Sequence, residues 1–151
     1  VDLAIETFRR LQLPLVVAGG GQEAEKIREL TRGTKIEIIS DPTNDEVNRL
    51  YSECRGMVFP GIEDFGITPL EAMAAGAPVI AIGAGGARET VTEETGVFFR
   101  EQTVESLSNA VLTLERGEAR VSEAACRRRA ADFSKTRFQR EFLAAVDSAG
   151  M

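Results

Sequence analysis

The sequence contains no histidine and a single tyrosine, Tyr51. Without imidazole the chain lacks the side chain that most often serves as a general base near neutral pH and as a metal ligand. Cysteine is scarce as well. Cys54 and Cys126 stand alone and are too few to hold a metal by themselves. That usage fits a reducing compartment, although two cysteines also suffice for one disulfide. No apolar run approaches the roughly 20 residues that span a bilayer, and no signal peptide is evident. Positive charge is outweighed, with a formal net charge of -6, which argues against nucleic acid as a partner.

What is present fits one domain. The chain has 151 residues, of which 43% are hydrophobic, enough for a packed core. Its first residue is valine, so an upstream segment is expected. Charge is uneven. Residues 120–140 hold seven basic groups (Arg120, Arg127, Arg128, Arg129, Lys135, Arg137, Arg140) against Glu123 and Asp132. A solvated helical face accounts for such a run. So does a face turned toward another domain or an anionic membrane surface.

Short apolar segments alternate with helical ones. "LPLVVAG", "KIEII", "GMVFPG", "APVIAIG" and "GVFF" read as strands. Between them lie helices at "VDLAIETFRRL", "EAEKIRELT", "TNDEVNRLYSEC", "TPLEAMAAG" and "GARETVTE". Thr43 and Glu46 are spaced as a capping box. Residues 103–147 are almost all helical, including "EARVSEAACRRRAADF" as one helix. The pattern predicts an α/β fold, a three-layer Rossmann-like parallel sheet flanked by helices, with a core over 1–100 and a helical extension over 101–151. Strands covered on both faces read as continuous apolar runs, as "LVVA" and "PVIAI" do.

Parallel sheets of this kind bind ligands beyond the carboxyl ends of their strands, and the glycines cluster there. Gly19, Gly20 and Gly21 end one strand; Gly83, Gly85 and Gly86 end another. A plain tight turn explains the first cluster about as well as a phosphate cradle does, and its spacing is not the dinucleotide fingerprint. In the second, Gly85 and Gly86 are placed to present amides to a diphosphate or a sugar hydroxyl. The densest stretch is "PGIEDFGITPLEAMAAG" at 60–76. Thr68 as N-cap, Pro69 at the first helical position and Glu71 three residues after Thr68 would make a capping box. That leaves Glu63 and the paired glycines Gly61 and Gly66 unexplained. Two carboxylates at the ends of one loop can accept hydrogen bonds from the hydroxyls of a ribose and a sugar.

"FPGIEDFGITPLEAMAAGAPVIAIGAGGARETV", followed by "TGVFF", resembles the donor-site signature of group 1 (family 4) retaining glycosyltransferases; the resemblance runs from residue 1 to about 100, more loosely into the C-terminal helices, and is specific over 58–97. That signature is two glutamates separated by seven residues with an aromatic–glycine pair between them, matched by Glu63, Phe65, Gly66 and Glu71. The resemblance implies a GT-B enzyme of two Rossmann-like domains, with 1–151 as the C-terminal, nucleotide-sugar-binding one. It implies that Glu63 lies against the donor sugar as the catalytic-site carboxylate and that Glu71 holds the ribose. It places the amides of Phe65, Gly66 and Ile67, together with Thr68, by the sugar and phosphates. Gly19, Gly20, Gly21, Gly85 and Gly86 line the same cleft, and Ile39 and Ser40 lie by the base. It further implies a nucleoside diphosphate sugar as donor, retention of configuration, no cofactor and no metal. The expected location is the cytoplasm, with peripheral contact to the inner face of a membrane as a second expectation.

The family also carries an arginine and a lysine, after a first strand, just before the helix that opens this sequence. They belong to the segment expected before Val1, as does a strand in the middle of the sheet and an N-terminal acceptor-binding domain. Other readings are an epimerase, a phosphorylase or a non-catalytic binding module. An epimerase calls for a nicotinamide fingerprint and a catalytic tyrosine. A phosphorylase calls for a lysine holding pyridoxal phosphate, a context that neither Lys26 nor Lys35 has.

Overall fold

The computed structural model describes residues 1–20 and 24–150. In chain order it contains α1 (Asp2–Leu11), β1 (Leu15–Ala18), α2 (Ala24–Thr31), β2 (Ile36–Ile39), α3 (Asn44–Glu53), β3 (Met57–Phe59) and α4 (Ile67–Ala74). Then follow β4 (Val79–Ile82), α5 (Ala87–Thr90), β5 (Gly96–Phe99), α6 (Val104–Glu115), α7 (Glu123–Ala131) and α8 (Lys135–Ser148). The expected strands and helices are present, and every described strand pair is parallel.

β4 organises the fold. All four of its residues are buried, and successive side chains of a strand point to opposite faces. Ile80 and Ile82 join a core cluster with Ile5 and Phe8 of α1, Phe99 of β5, and Leu107 and Val111 of α6. Val79 and Ala81 join the other cluster, with Ala72 and Met73 of α4, Ala87 of α5 and Cys126 of α7. Helices therefore cover both faces, as the alternation of elements predicts. Burying Met73 alone is worth about 2 kcal/mol by the area removed from water.

The strands fall into two hydrogen-bonded groups, β1–β2 and β3–β4–β5. β1 and β3 each keep one edge without a strand partner among the described residues. This corrects the reading of "LVVA" as a strand buried on both faces. Its burial alternates, with Val16 42% exposed, because only one face of β1 meets the core.

Two other expectations change. "EARVSEAACRRRAADF" is helical over only part of its length: α7 begins after Ser122, whose Oγ accepts from the Ala125 N–H, and ends at Ala131. Both cysteines are free, Cys54 exposed and Cys126 buried. Thr43 and Glu46 do form their capping box at the start of α3. No helix among the described residues is long and apolar enough to cross a membrane.

Candidate functional site

The loop between β3 and α4 meets the turn after β4 at the carboxyl end of the three-stranded sheet. The Gly86 N–H donates to the Glu63 carbonyl at 2.8 Å. The approach is close enough to require glycine on the turn. A Cβ at Gly85 would stand 2.5 Å from the Glu63 carbonyl oxygen, and one at Gly86 would stand 2.3 Å from that of Asp64 and 2.7 Å from the Phe65 Cα. These glycines therefore hold two loops together. The Gly86 amide, expected to face a diphosphate, already has a partner within the protein. At the loop's other end, Gln102 Nε2 donates to the Pro60 carbonyl at 2.8 Å.

The start of α4 differs from the capping box expected there. Its N-cap is Gly66, with φ +76° and no side-chain cap. A left-handed φ at this point favours glycine. Thr68 is thus the second residue of the helix and Glu71 the fifth, so Glu71 cannot reach back to close a box. The chain passes through Gly66 against the Phe59 ring and Pro69, and that packing, invisible as a local sequence pattern, moves the helix start forward. The amides of Phe65, Gly66 and Ile67 have no hydrogen-bond acceptor among the described residues. The first N–H groups of a helix are unsatisfied by the helix itself and point outward.

The Glu63 and Glu71 carboxylates are both exposed, and neither makes an ion pair or hydrogen bond among the described residues. Pro69, Ala72 and Met73 turn inward, which places Ile67, Glu71 and Ala74 on the outer face of α4. Tyr51 of α3 lies near Glu71. Burial first, and then the Glu71 and Cys54 charges, push the Tyr51 phenol above its ordinary pKa. Tyr51 packs against the second core cluster, as expected of a core-facing side chain.

The turn after β1 is built differently. The Gly19 N–H donates to the Ile39 carbonyl at 3.0 Å, extending the β1–β2 ladder by one bond. A Cβ at Gly20 would meet the Asp41 carboxylate at 2.2 Å. Asp41 itself has φ +49°. Ser40 Oγ accepts from Arg28 Nη2 at 2.8 Å, leaving Ile39 half-buried beside it. Gly21 lies outside the described residues. The structure thus joins Glu63, Phe65, Gly66, Ile67, Gly85 and Gly86 in one neighbourhood, and Gly19, Gly20, Ile39 and Ser40 in a second, at the carboxyl end of the other strand pair.

The basic run contributes contacts that its composition did not reveal. Arg129 Nε donates to the Thr90 carbonyl at 2.9 Å and Nη2 to the Glu89 carbonyl, so Arg129 closes the C-terminal end of α5. Its guanidinium sits 4.9 Å over the Phe133 ring, which in turn meets Phe65 edge-on at 6.1 Å. Arg127 donates to the Ala75 carbonyl at the end of α4. Part of the run therefore makes contacts within the fold, while most of it, Arg127 included, stays exposed to solvent.

The sequence matches the family described as glycosyl transferases group 1 over residues 1–133, and the chain belongs to that family. It is 33% identical over 87 residues to the alpha-1,3/1,6-mannosyltransferase ALG2 of Dictyostelium discoideum, covering 57% of this chain and 21% of that protein. Among solved structures, the sucrose-phosphate synthase of Thermosynechococcus elongatus superposes with a TM-score of 0.79 at 27% identity, over 99% of this chain and 42% of that one. Anabaena Alr3699/HepE, solved in complex with UDP-glucose, superposes with a TM-score of 0.80 at 18% identity, over 97% of this chain and 44% of that one. The last likeness concerns the fold. The chain spans less than half the length of these proteins, as expected for one half of a GT-B glycosyltransferase.

Proposed function

We propose that this chain binds the nucleoside diphosphate sugar in a glycosyltransferase that moves the sugar to an acceptor hydroxyl with retention of anomeric configuration. The observation that carries the reading is the uncapped start of α4. Three unpaired amides and a free carboxylate, Glu63, share one loop, and that loop is latched to the turn after β4. As the glycosidic bond breaks, negative charge accumulates on the leaving diphosphate. Preorganised N–H donors in a fixed loop stabilise that charge without having to reorganise. A helix start adds its positive dipole end to the same effect.

Each carboxylate has its own task in this proposal. Glu63, adjoining the amides, accepts hydrogen bonds from the donor sugar, and Glu71, on the outer face of α4, accepts them from the ribose. Neither serves as a metal ligand, and donor activation rests on amides together with cations of the expected upstream segment. The acceptor-binding domain and any peripheral membrane contact belong to the whole enzyme. The pairing of a free Glu71 with an uncapped helix favours this reading over a purely structural motif, because the capping role that would otherwise account for Glu71 is not filled.

The test is Glu71→Gln in the full-length enzyme, with melting and nucleotide binding measured side by side. The expected result is an unchanged melting temperature with weakened binding of UDP-glucose or GDP-mannose, whichever the wild type takes. Intact binding with a lowered melting temperature would return Glu71 to a structural role.

A further inference from the structure

The loop that carries Glu63 and Phe65 is exposed over residues 62–65, yet the proposed chemistry needs it fixed. Its fixation has two arms. One is the backbone bond from Gly86 to Glu63. The other comes from far along the chain. Phe133, just after α7, packs edge-to-face with Phe65, and Arg129 lies over Phe133 while gripping the last two carbonyls of α5. Arg129 also pairs with Asp132 at 3.5 Å. Both arms converge on α5: Gly86 caps its start, and Arg129 closes its end. The end of α7 is itself anchored. Cys126, in the same helix, is fully buried in the second core cluster, and its Sγ donates to the Thr95 carbonyl at 3.7 Å.

The geometry points to Arg129 and Phe133 as positioning residues for the donor site. They would act through Phe65 and α5 to fix the loop over 61–66, without touching the donor. Phe65 is 48% exposed, so Phe133 covers only part of it and leaves the rest open to solvent. An aromatic pair orders both rings beyond simple burial, and a cation over the second ring adds to the order. A loop displaced by even about 1 Å costs catalysis heavily when its groups must meet a transition state. This inference rests on the proposed donor site, so its test includes a readout that needs no donor.

The experiment takes the full-length enzyme as Phe133→Ala, Phe133→Tyr, Arg129→Gln and Arg129→Lys, with Phe142→Ser on the exposed face of α8 as control. In the absence of ligand, amide hydrogen exchange is followed across 61–67 and across β4. Phe133→Ala and Arg129→Gln are expected to speed exchange at 61–67 and leave β4 unchanged. With donor present, the same variants are expected to raise the donor KM about tenfold, the scale of one aromatic pair, with acceptor KM unchanged. Phe133→Tyr keeps the aromatic ring and should restore both readouts. Arg129→Lys, which keeps charge and loses the two-carbonyl fork, should restore them only in part. Should Phe133→Ala fail to fold, Phe133→Leu replaces it. Unchanged exchange at 61–67 overturns the inference, and so does faster exchange with an unchanged donor KM. A wild-type enzyme that binds no nucleoside diphosphate sugar overturns the donor site itself, whatever the exchange shows.

Discussion

Two turns in this molecule end a parallel strand in glycines, and they use them for different reasons. After β4, Gly85 and Gly86 let two loops approach within van der Waals contact of backbone atoms. After β1, Gly19 has open space where a side chain would go and is glycine because of its φ of +149°. Its neighbour Gly20 faces only the end of the Asp41 side chain, which can swing aside. Similar sequence punctuation therefore marks a structural latch in one place and a backbone turn in the other. The latch, with its two neighbouring loops, is the better candidate for a rigid binding edge.

Substitution separates the two. Gly86→Ala has the largest expected effect: with φ -63° the backbone tolerates alanine, but no space exists for its Cβ. We expect a loss of about 3 kcal/mol, the upper range for overpacking, read by urea unfolding. Donor binding should fall with it. Gly19→Ala comes next, at about 1–3 kcal/mol from backbone strain alone, without direct disturbance of the Glu63 loop. Gly20→Ala is expected to cost less than about 1 kcal/mol, since a surface carboxylate moves to accommodate it. Were Gly19→Ala to prove costlier than Gly86→Ala, the distinction between latch and turn would be wrong.

The smallest effect is a titration. Hydrogen bonds from the Thr43 N–H and hydroxyl hold the Glu46 carboxyl below its ordinary pKa. A depressed folded-state pKa means stability that is complete above the ordinary value of 4.5 and disappears as pH falls through the lower, folded-state value. Thr43→Ala should weaken that pH dependence of unfolding, while leaving the difference between the two glycine turns untouched.

Much of this was legible in the chain itself. The order of strands and helices followed from apolar runs and punctuation, and the Thr43–Glu46 box from its spacing. The motif from Glu63 to Glu71 was sufficient to indicate the family. What escaped the sequence depends on contacts between distant segments. The helix start at Gly66 is set by Phe59 and Pro69 packing around a left-handed residue, whereas Thr68-Pro69 reads locally as a cap. The need for glycine at 86, and beyond its φ of +60° at 85, arises from a loop some twenty residues earlier. Arg129 looked like one charge in a basic run, and only the fold brings it to the end of α5. The half-exposed β1 shows the same limit, because "LVVA" gives no sign that one of its faces meets no core.

The most direct measurement is a crystal structure of the full-length enzyme with its nucleoside diphosphate sugar bound. The account predicts Glu63 and Glu71 each within about 3.2 Å of a hydroxyl, and the diphosphate facing the amides of Phe65, Gly66 and Ile67. A nucleotide sugar bound elsewhere, with those amides facing only water, would contradict it.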